Sequence, residues 1–273
     1  MTLTLMAVHA HPDDEASSTG GVLAMCSDEG VTTVVVTCTN GEFGDGPAGS
    51  KPGDDGHDAN EVAQTRLAEL RQSCKYLGVT ELVTLGYHDS GTADWEYRHS
   101  PEAFCNVPLD VVAGRISSLI ERYRPDVVVT YDPTDAYQHP DHRHACRAAI
   151  AAVELTPVPA KLYLTAMRRS QWESALQAMR EAGEDVPDGA ISEEDARLIR
   201  EAEERITTTV DITFALDRKR ASLLAHASQI ADSWVAKISP EDARAIFGTE
   251  NFIRFLNKTS ASVPESDLFA GLR

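Results

Sequence analysis

Five of the nine histidines of this chain fall in two short runs, His9-Ala10-His11-Pro12-Asp13-Asp14-Glu15 and His139-Pro140-Asp141-His142-Arg143-His144. Imidazole and carboxylate together suit zinc and the other divalent first-row metals, and a catalytic zinc ion commonly takes three protein ligands and keeps one position open. His11, Asp14 and His142 would supply that triad, the His-x-x-Asp spacing letting both side chains of one turn converge. Asp13 is then left beside the ion without having to bind it, where a carboxylate can act as general base on an attacking water. His139 would stabilise a developing oxyanion or protonate a leaving nitrogen, with Asp141 orienting its ring. A single His-Pro-Asp triplet is a turn whose Asp bonds the backbone. Two of them, each following a β-prone run, point instead to a metal centre. His9 reads as a strand or core residue, His144 as a helix-surface histidine, and His57, His88 and His99 as loop residues.

The two runs can meet only if the elements before them lie side by side. Residues 3–9 are short, apolar and β-prone, and a helical pattern follows over 16–27. Residues 32–39 are an unbroken β-branched run, as a strand buried on both faces requires, and such strands belong to parallel sheets. After a Gly-, Pro- and Asp-rich loop over 41–57, the pattern predicts a helix at 60–77, a strand at 82–85, a helix at 107–123, a strand at 126–131 and a helix at 142–153. This alternation predicts a doubly wound α/β fold, a Rossmann-like, mostly parallel sheet with helices on both faces. Both histidine runs then follow the C-terminal ends of parallel strands, where such sheets place their ligand crevice. Residues 1–155 read as the catalytic core and 156–273 as a smaller extension completing the same domain. That extension carries a strand at 161–165, a helix at 170–182, a strand at 206–212, a helix at 214–228 and a helix start at 239–242.

The chain has 273 residues, 42% hydrophobic and 25% charged, and a formal charge of −18. That composition is globular, and the acidic balance would repel a phosphate backbone, which argues against nucleic acid. No apolar run approaches the ~20 residues that cross a bilayer, and residues 2–10 have no basic leader. The five cysteines form no C-x-x-C, so they read as reduced, buried thiols. The expectation is a cytoplasmic protein with a small-molecule partner and no membrane, its choice between monomer and homo-oligomer left open. Residues 181–204 hold ten acids and two arginines. They read as a solvated helical excursion opened by the cap-like Ser192-Glu193-Glu194-Asp195, without chemistry of their own.

With these residues in view, the chain resembles the LmbE-like, or PIG-L, metal-dependent N-deacetylases. The resemblance rests on Ala10-His11-Pro12-Asp13-Asp14-Glu15 and His139-Pro140-Asp141-His142. It extends through Thr37-Cys38-Thr39-Asn40-Gly41-Glu42, Arg66-Leu67-Ala68-Glu69-Leu70, His88-Asp89-Ser90-Gly91, Lys219-Arg220 and Ala225-His226-Ala227-Ser228-Gln229. The nearest likeness is to the actinobacterial branch that holds the mycothiol-pathway deacetylase and the mycothiol S-conjugate amidase. The resemblance implies zinc, with ferrous iron as the alternative, on His11, Asp14 and His142. It also implies Asp13 as base, His139 assisting the transition state, Tyr137 swinging in to polarise the carbonyl, and Glu42, Arg66 and Asp89 lining a sugar pocket. The implied reaction removes an N-acetyl group from an N-acetylglucosaminyl-type substrate; the alternative is cleavage of a larger amide such as a mycothiol S-conjugate. Where the amidase of that branch carries a lysine, this chain has Ser18, which implies a short acyl group. A non-catalytic binder would not need Asp13 and His139. A nucleotide oxidoreductase would want G-x-G-x-x-G in the first βα turn, where this chain has His-Pro-Asp-Asp.

Overall fold

The computed structural model describes residues 2–92, 95–134, 139–187, 190–231 and 233–273. In chain order the elements are β1 (Thr4–His9), α1 (Asp14–Asp28), β2 (Thr32–Thr39), α2 (Ala59–Leu77), β3 (Glu81–Tyr87), α3 (Leu109–Tyr123), β4 (Val127–Tyr131) and α4 (Pro140–Glu154). They continue with β5 (Lys161–Ala166), α5 (Arg169–Glu181), α6 (Glu193–Glu204), β6 (Thr208–Asp211), α7 (Leu216–Ala225), α8 (Ala227–Ile230), α9 (Trp234–Lys237), α10 (Pro240–Phe247) and β7 (Thr249–Asn257). The strands form one sheet in the order β3-β2-β1-β4-β5-β7-β6. The first five run parallel, and β7 runs antiparallel to both β5 and β6. The fold is the α/β, mostly parallel sheet that the alternation predicts.

The period-2 alternation of each strand feeds two cores. Met6 and Val8 of β1, Val34 and Val36 of β2 and Val128 of β4 pack with α3 and α4. Leu5, Ala7, Val35, Val127 and Val129 point the other way and pack with α1, α2 and the chain's C-terminal Leu268 and Phe269. Each such fully buried aliphatic side chain stabilises the fold by about 1.5–3 kcal/mol, which fixes the register of the central strands. Between β1 and β4 the strand order reverses direction, so a crevice opens at their C-terminal ends. A third, smaller cluster joins α5 to α10 through Ala175, Ala178, Ala243 and Ile246.

Caps explain where several helices begin. Asp58 accepts from the N–H groups of Asn60 and Glu61 ahead of α2, Ser192 forms a capping box with Asp195 ahead of α6, and Ser239 with Pro240 opens α10. Two features depart from the sequence reading. The helix expected over 214–228 is divided at His226 into α7 and α8, because that imidazole is drawn onto Glu15, 2.7 Å away. The sequence reading also has no strand after 239–242, yet β7 lies there and joins β6 to the sheet. Its Glu250, Asn251 and Arg254 look like solvent-facing polar residues in the sequence, but each is engaged inside the protein.

Candidate active site

Parallel pairing of β1 with β4 brings the two histidine runs together, as the strand-end argument requires. His11 lies in the turn after β1, and its backbone N–H donates to Asp14 Oδ2 at 2.7 Å, holding the first residue of α1 against the turn. His142 lies in the first turn of α4, opened by Pro140, and its ring stacks on Tyr131 with centroids 4.1 Å apart. Asp14 stands between them, one oxygen 3.5 Å from His11 Nδ1 and the other 3.3 Å from His142 Nε2. His139 closes the group edge-on to His11, with ring centroids 4.6 Å apart.

His11, His139 and His142 each bring a ring nitrogen to within 4.8 Å of the others, and His11, Asp89 and Asp141 form a second such grouping. These donors fit a divalent first-row metal: buried imidazole nitrogens converge with a carboxylate and no thiolate intervenes. The far side of His11 supports the same reading. Its Nε2 faces Asp141 Oδ2 at 3.2 Å, so Nδ1 is the nitrogen turned to Asp14, an arrangement in which a carboxylate orients a ligating imidazole. Asp141 is in turn held by the backbone N–H of Ser90 at 2.9 Å and by the Ser90 hydroxyl.

The expectation for Asp141 therefore shifts. Its carboxylate turns to His11 and Ser90, and it meets His139 through its backbone N–H, which donates to His139 Nδ1 at 3.2 Å. With Nδ1 accepting, the ring hydrogen of neutral His139 sits on Nε2. Burial, with the neighbouring His11 and His142 adding to it against Asp141, pushes the His139 imidazole down to about 4.

Asp13 occupies the N-cap of α1 with φ 118°, a left-handed conformation uncommon outside glycine. It accepts from Arg66 Nη2 at 2.9 Å, and its side chain is 32% exposed, open to a reactant. Burial pushes its carboxyl up, Arg66 pulls it down and Asp14 pushes it up again, leaving it raised overall. Arg66 is pinned independently of Asp13, donating to the carbonyls of Gly41 and Pro12 at 2.7 Å each. The first of these needs a glycine: Gly41 has φ 68°, and a Cβ there would lie 2.5 Å from Arg66 Nη1.

A cavity of about 210 Å³ is walled by His11, Asp13, Arg66, Asp89, His139 and His142 among others, so Arg66 and Asp89 stand where a sugar pocket is expected. Glu42, expected in the same pocket, is buried but does not line this cavity; its Oε1 lies 2.7 Å from His88 Nδ1 and its Oε2 has no hydrogen-bond partner among the described residues. Tyr137 lies outside the described residues. Asp13, Asp14 and His142 also line a larger cavity of about 470 Å³.

Sequence reasoning missed Tyr131 and the pair of Glu15 and His226. The Tyr131 hydroxyl donates to Asp14 Oδ2 and accepts from the Ala10 N–H, both at 2.7 Å. Its signal was its position as the last residue of a buried strand that ends at the crevice. Glu15, fully buried, accepts from His226 and from the Ser73 hydroxyl, tying α1 to α2 and α7 beneath the site. Only the three-dimensional packing could have joined residues 15 and 226.

Residues 6–153 match the PIG-L family described as GlcNAc-PI de-N-acetylase. A 1D-myo-inositol 2-acetamido-2-deoxy-alpha-D-glucopyranoside deacetylase of Acidothermus cellulolyticus is 37% identical over 280 residues, covering 100% of this chain and 96% of the relative. Among solved structures, the N,N'-diacetylchitobiose deacetylase of Pyrococcus horikoshii superposes with a TM-score of 0.61 at 21% identity, covering 92% of this chain and 83% of that one. The 4-carboxy-2-hydroxymuconate hydratase of Pseudomonas putida superposes with a TM-score of 0.63 at 17% identity, covering 96% and 99%. At such identities the two structures share the fold alone, and their different reactions show that the fold does not choose between them.

Proposed function

The chain belongs to the PIG-L, or LmbE-like, family, and from that premise we propose that it is a zinc-dependent deacetylase of an N-acetylglucosaminyl compound, the inositol-linked sugar named for its relatives being the first candidate. It is a hydrolase of the amide-bond class. Among the described residues no helix is long and apolar enough to cross a membrane, and the substrate class is a small-molecule amino sugar.

The observation that carries the reading is the placement of Asp13: a carboxylate beside the His11, Asp14 and His142 group, facing the same 210 Å³ cavity, and steadied by Arg66. Zinc held by His11, Asp14 and His142 would polarise the amide carbonyl and acidify water. Asp13 takes the proton from the attacking water, its carboxylate facing the cavity and held by Arg66. His139 donates from Nε2 to the oxygen on which negative charge develops. Arg66 and Asp89 bind and orient the sugar hydroxyls. Tyr131 and Asp141 hold Asp14 and His11 in place through the hydrogen bonds described above.

The test is release of free amine, read with fluorescamine, from the inositol-linked N-acetylglucosaminide incubated with zinc-loaded protein. Turnover that is lost in the Asp13→Asn variant is the expected result. Absence of amine from this and every related N-acetylglucosaminide, with one zinc bound per chain, would refute the reading.

A further inference from the structure

The backbone of Asp13 stands in a conformation that its surroundings must hold. With φ 118° and ψ −25°, a residue that carries a side chain sits where such residues rarely go, and it stays there only when neighbouring groups fix it. The Arg66 guanidinium fixes the carboxylate. The backbone N–H is fixed separately: it donates to Glu15 Oε2 at 3.0 Å, so the second residue of α1 reaches back across the turn to the base itself. Glu15 is fully buried and lines neither cavity. Its carboxylate therefore meets no reactant, and any effect it has on the chemistry passes through Asp13.

Distant parts of the chain meet at the other oxygen of Glu15. Oε1 lies 2.7 Å from His226 Nε2, which carries the hydrogen when it faces a carboxylate. The same oxygen accepts from the Ser73 hydroxyl, itself bonded to the Ser222 hydroxyl at 2.6 Å. The His226 side chain is fully buried at the break between α7 and α8, and Ser222 lies one turn before it on α7. Ser73 lies on α2 two turns after Arg66, on the same buried face. One helix therefore grips the base twice, Arg66 at the carboxylate and Ser73, through Glu15, at the backbone N–H. Removing His226 takes a donor from a carboxylate that has no exposure to solvent, and its remaining bonds, the one to the Asp13 N–H among them, would have to rearrange.

We propose that Glu15 and His226 are positioning residues for the general base: His226 and Ser73 hold the Glu15 carboxylate, and that carboxylate holds the Asp13 N–H and with it the angle at which Asp13 meets the attacking water. The proposal rests on the reading of Asp13 as the base and adds residues to that reaction. A double-mutant cycle tests it, with amine release from the inositol-linked N-acetylglucosaminide by zinc-loaded protein. A reacting group displaced by about 1 Å can lose about a hundredfold in rate. His226→Leu is therefore expected to lower kcat at least about tenfold, with KM within about threefold of wild type and one metal still bound per chain. In the Asp13→Asn background, where no base remains to be aimed, the same change should cost less than about twofold. His226→Gln, whose amide N–H can stand in for Nε2–H, should return kcat to within about threefold of wild type. An equal loss in both backgrounds, a raised KM, a metal lost from folded His226→Leu, or a glutamine variant as slow as the leucine one would each overturn the proposal. Should His226→Leu fail to fold, Ser73→Ala removes a neutral donor from the same Glu15 oxygen and should show the same pattern with a loss of about threefold. Crystal structures of the folded variants give a readout that needs no turnover. Asp13 is expected to leave φ 118° or to lose its bond to Glu15, and an unmoved Asp13 with its N–H still on Glu15 overturns the clamp. Absence of amine from the wild-type protein overturns the deacetylase reading, and the variant structures then decide the clamp by themselves.

Discussion

Replacing Asp13 by asparagine separates base catalysis from metal binding, and the structure sets what should change. Asparagine tolerates the left-handed backbone at φ 118° better than alanine would, so the turn keeps its shape. Arg66 loses the negative charge of its partner but can still donate to the amide oxygen and retains the Gly41 and Pro12 carbonyls, so the sugar pocket keeps its wall and KM should change little. Asp14 keeps its bonds from the His11 N–H and Tyr131, neither of which involves Asp13. What disappears is the proton acceptor, and a missing general base typically costs 10²–10⁴-fold in rate, about 2.7–5.5 kcal/mol of barrier. The expected outcome is one metal per chain by elemental analysis, a KM within about threefold of wild type, and kcat lower by at least about a hundredfold. An Asp13→Asn protein that loses its metal, beside an Asp14→Asn protein that keeps it, would exchange the two carboxylates' roles and refute the argument.

His142→Ala should lower metal content well below one per chain, and chelation should abolish turnover while far-UV circular dichroism stays unchanged, since the two cores do not include the metal group. Tyr131→Phe leaves the buried Ala10 N–H without its acceptor, costing about 1–3 kcal/mol, so thermal unfolding should drop by several degrees. At the far edge of the sheet Glu265 accepts from Lys161, Tyr163, Thr208 and Arg254, and Glu265→Ala should destabilise by about 3–5 kcal/mol by stranding buried cations. Burial pushes the Glu265 carboxyl up and these donors outweigh it, leaving its pKa lowered. The wild-type advantage is then full at neutral pH and shrinks as acid protonates the folded carboxylate, so a stability gap to the alanine variant that widens on acidification would contradict the assignment.

The elements whose residues are buried on both faces could be read from sequence almost to the residue. Thr32–Thr39 is an unbroken β-branched run between turn residues, and no other state hides so much branched apolar surface. The convergence of His11, Asp14 and His142 was legible for the same reason, since adjacent parallel strands must release their loops into one crevice. What stayed hidden depends on partners distant in the chain. β7 spends its polar residues on internal bonds, so no amphipathic period marks it. His226 bends a continuous helical pattern because Glu15, far away in sequence, holds its ring. The orientation of Asp141 toward His11 is set by Ser90, on a loop whose position the His-Pro-Asp-His run says nothing about.

The insertion of β7 between β5 and β6 has a consequence for the order of assembly on the ribosome. Among the described residues β6 joins the sheet through β7, synthesised some forty residues after it, and its Thr208 also bridges to Glu265, later still. Glu250 of β7 also supplies the acceptor for the N–H groups of Gly21 and Val22 in the helix that starts at Asp14. A nascent chain that has emerged as far as α10 can pair β1 through β5, yet it must keep β6 waiting and the first helix without its clamp. Such late, long-range closure is slow and exposes apolar surface in the interval. The protein's yield in a cell should therefore respond to chaperone supply and to the speed of translation through its last strand.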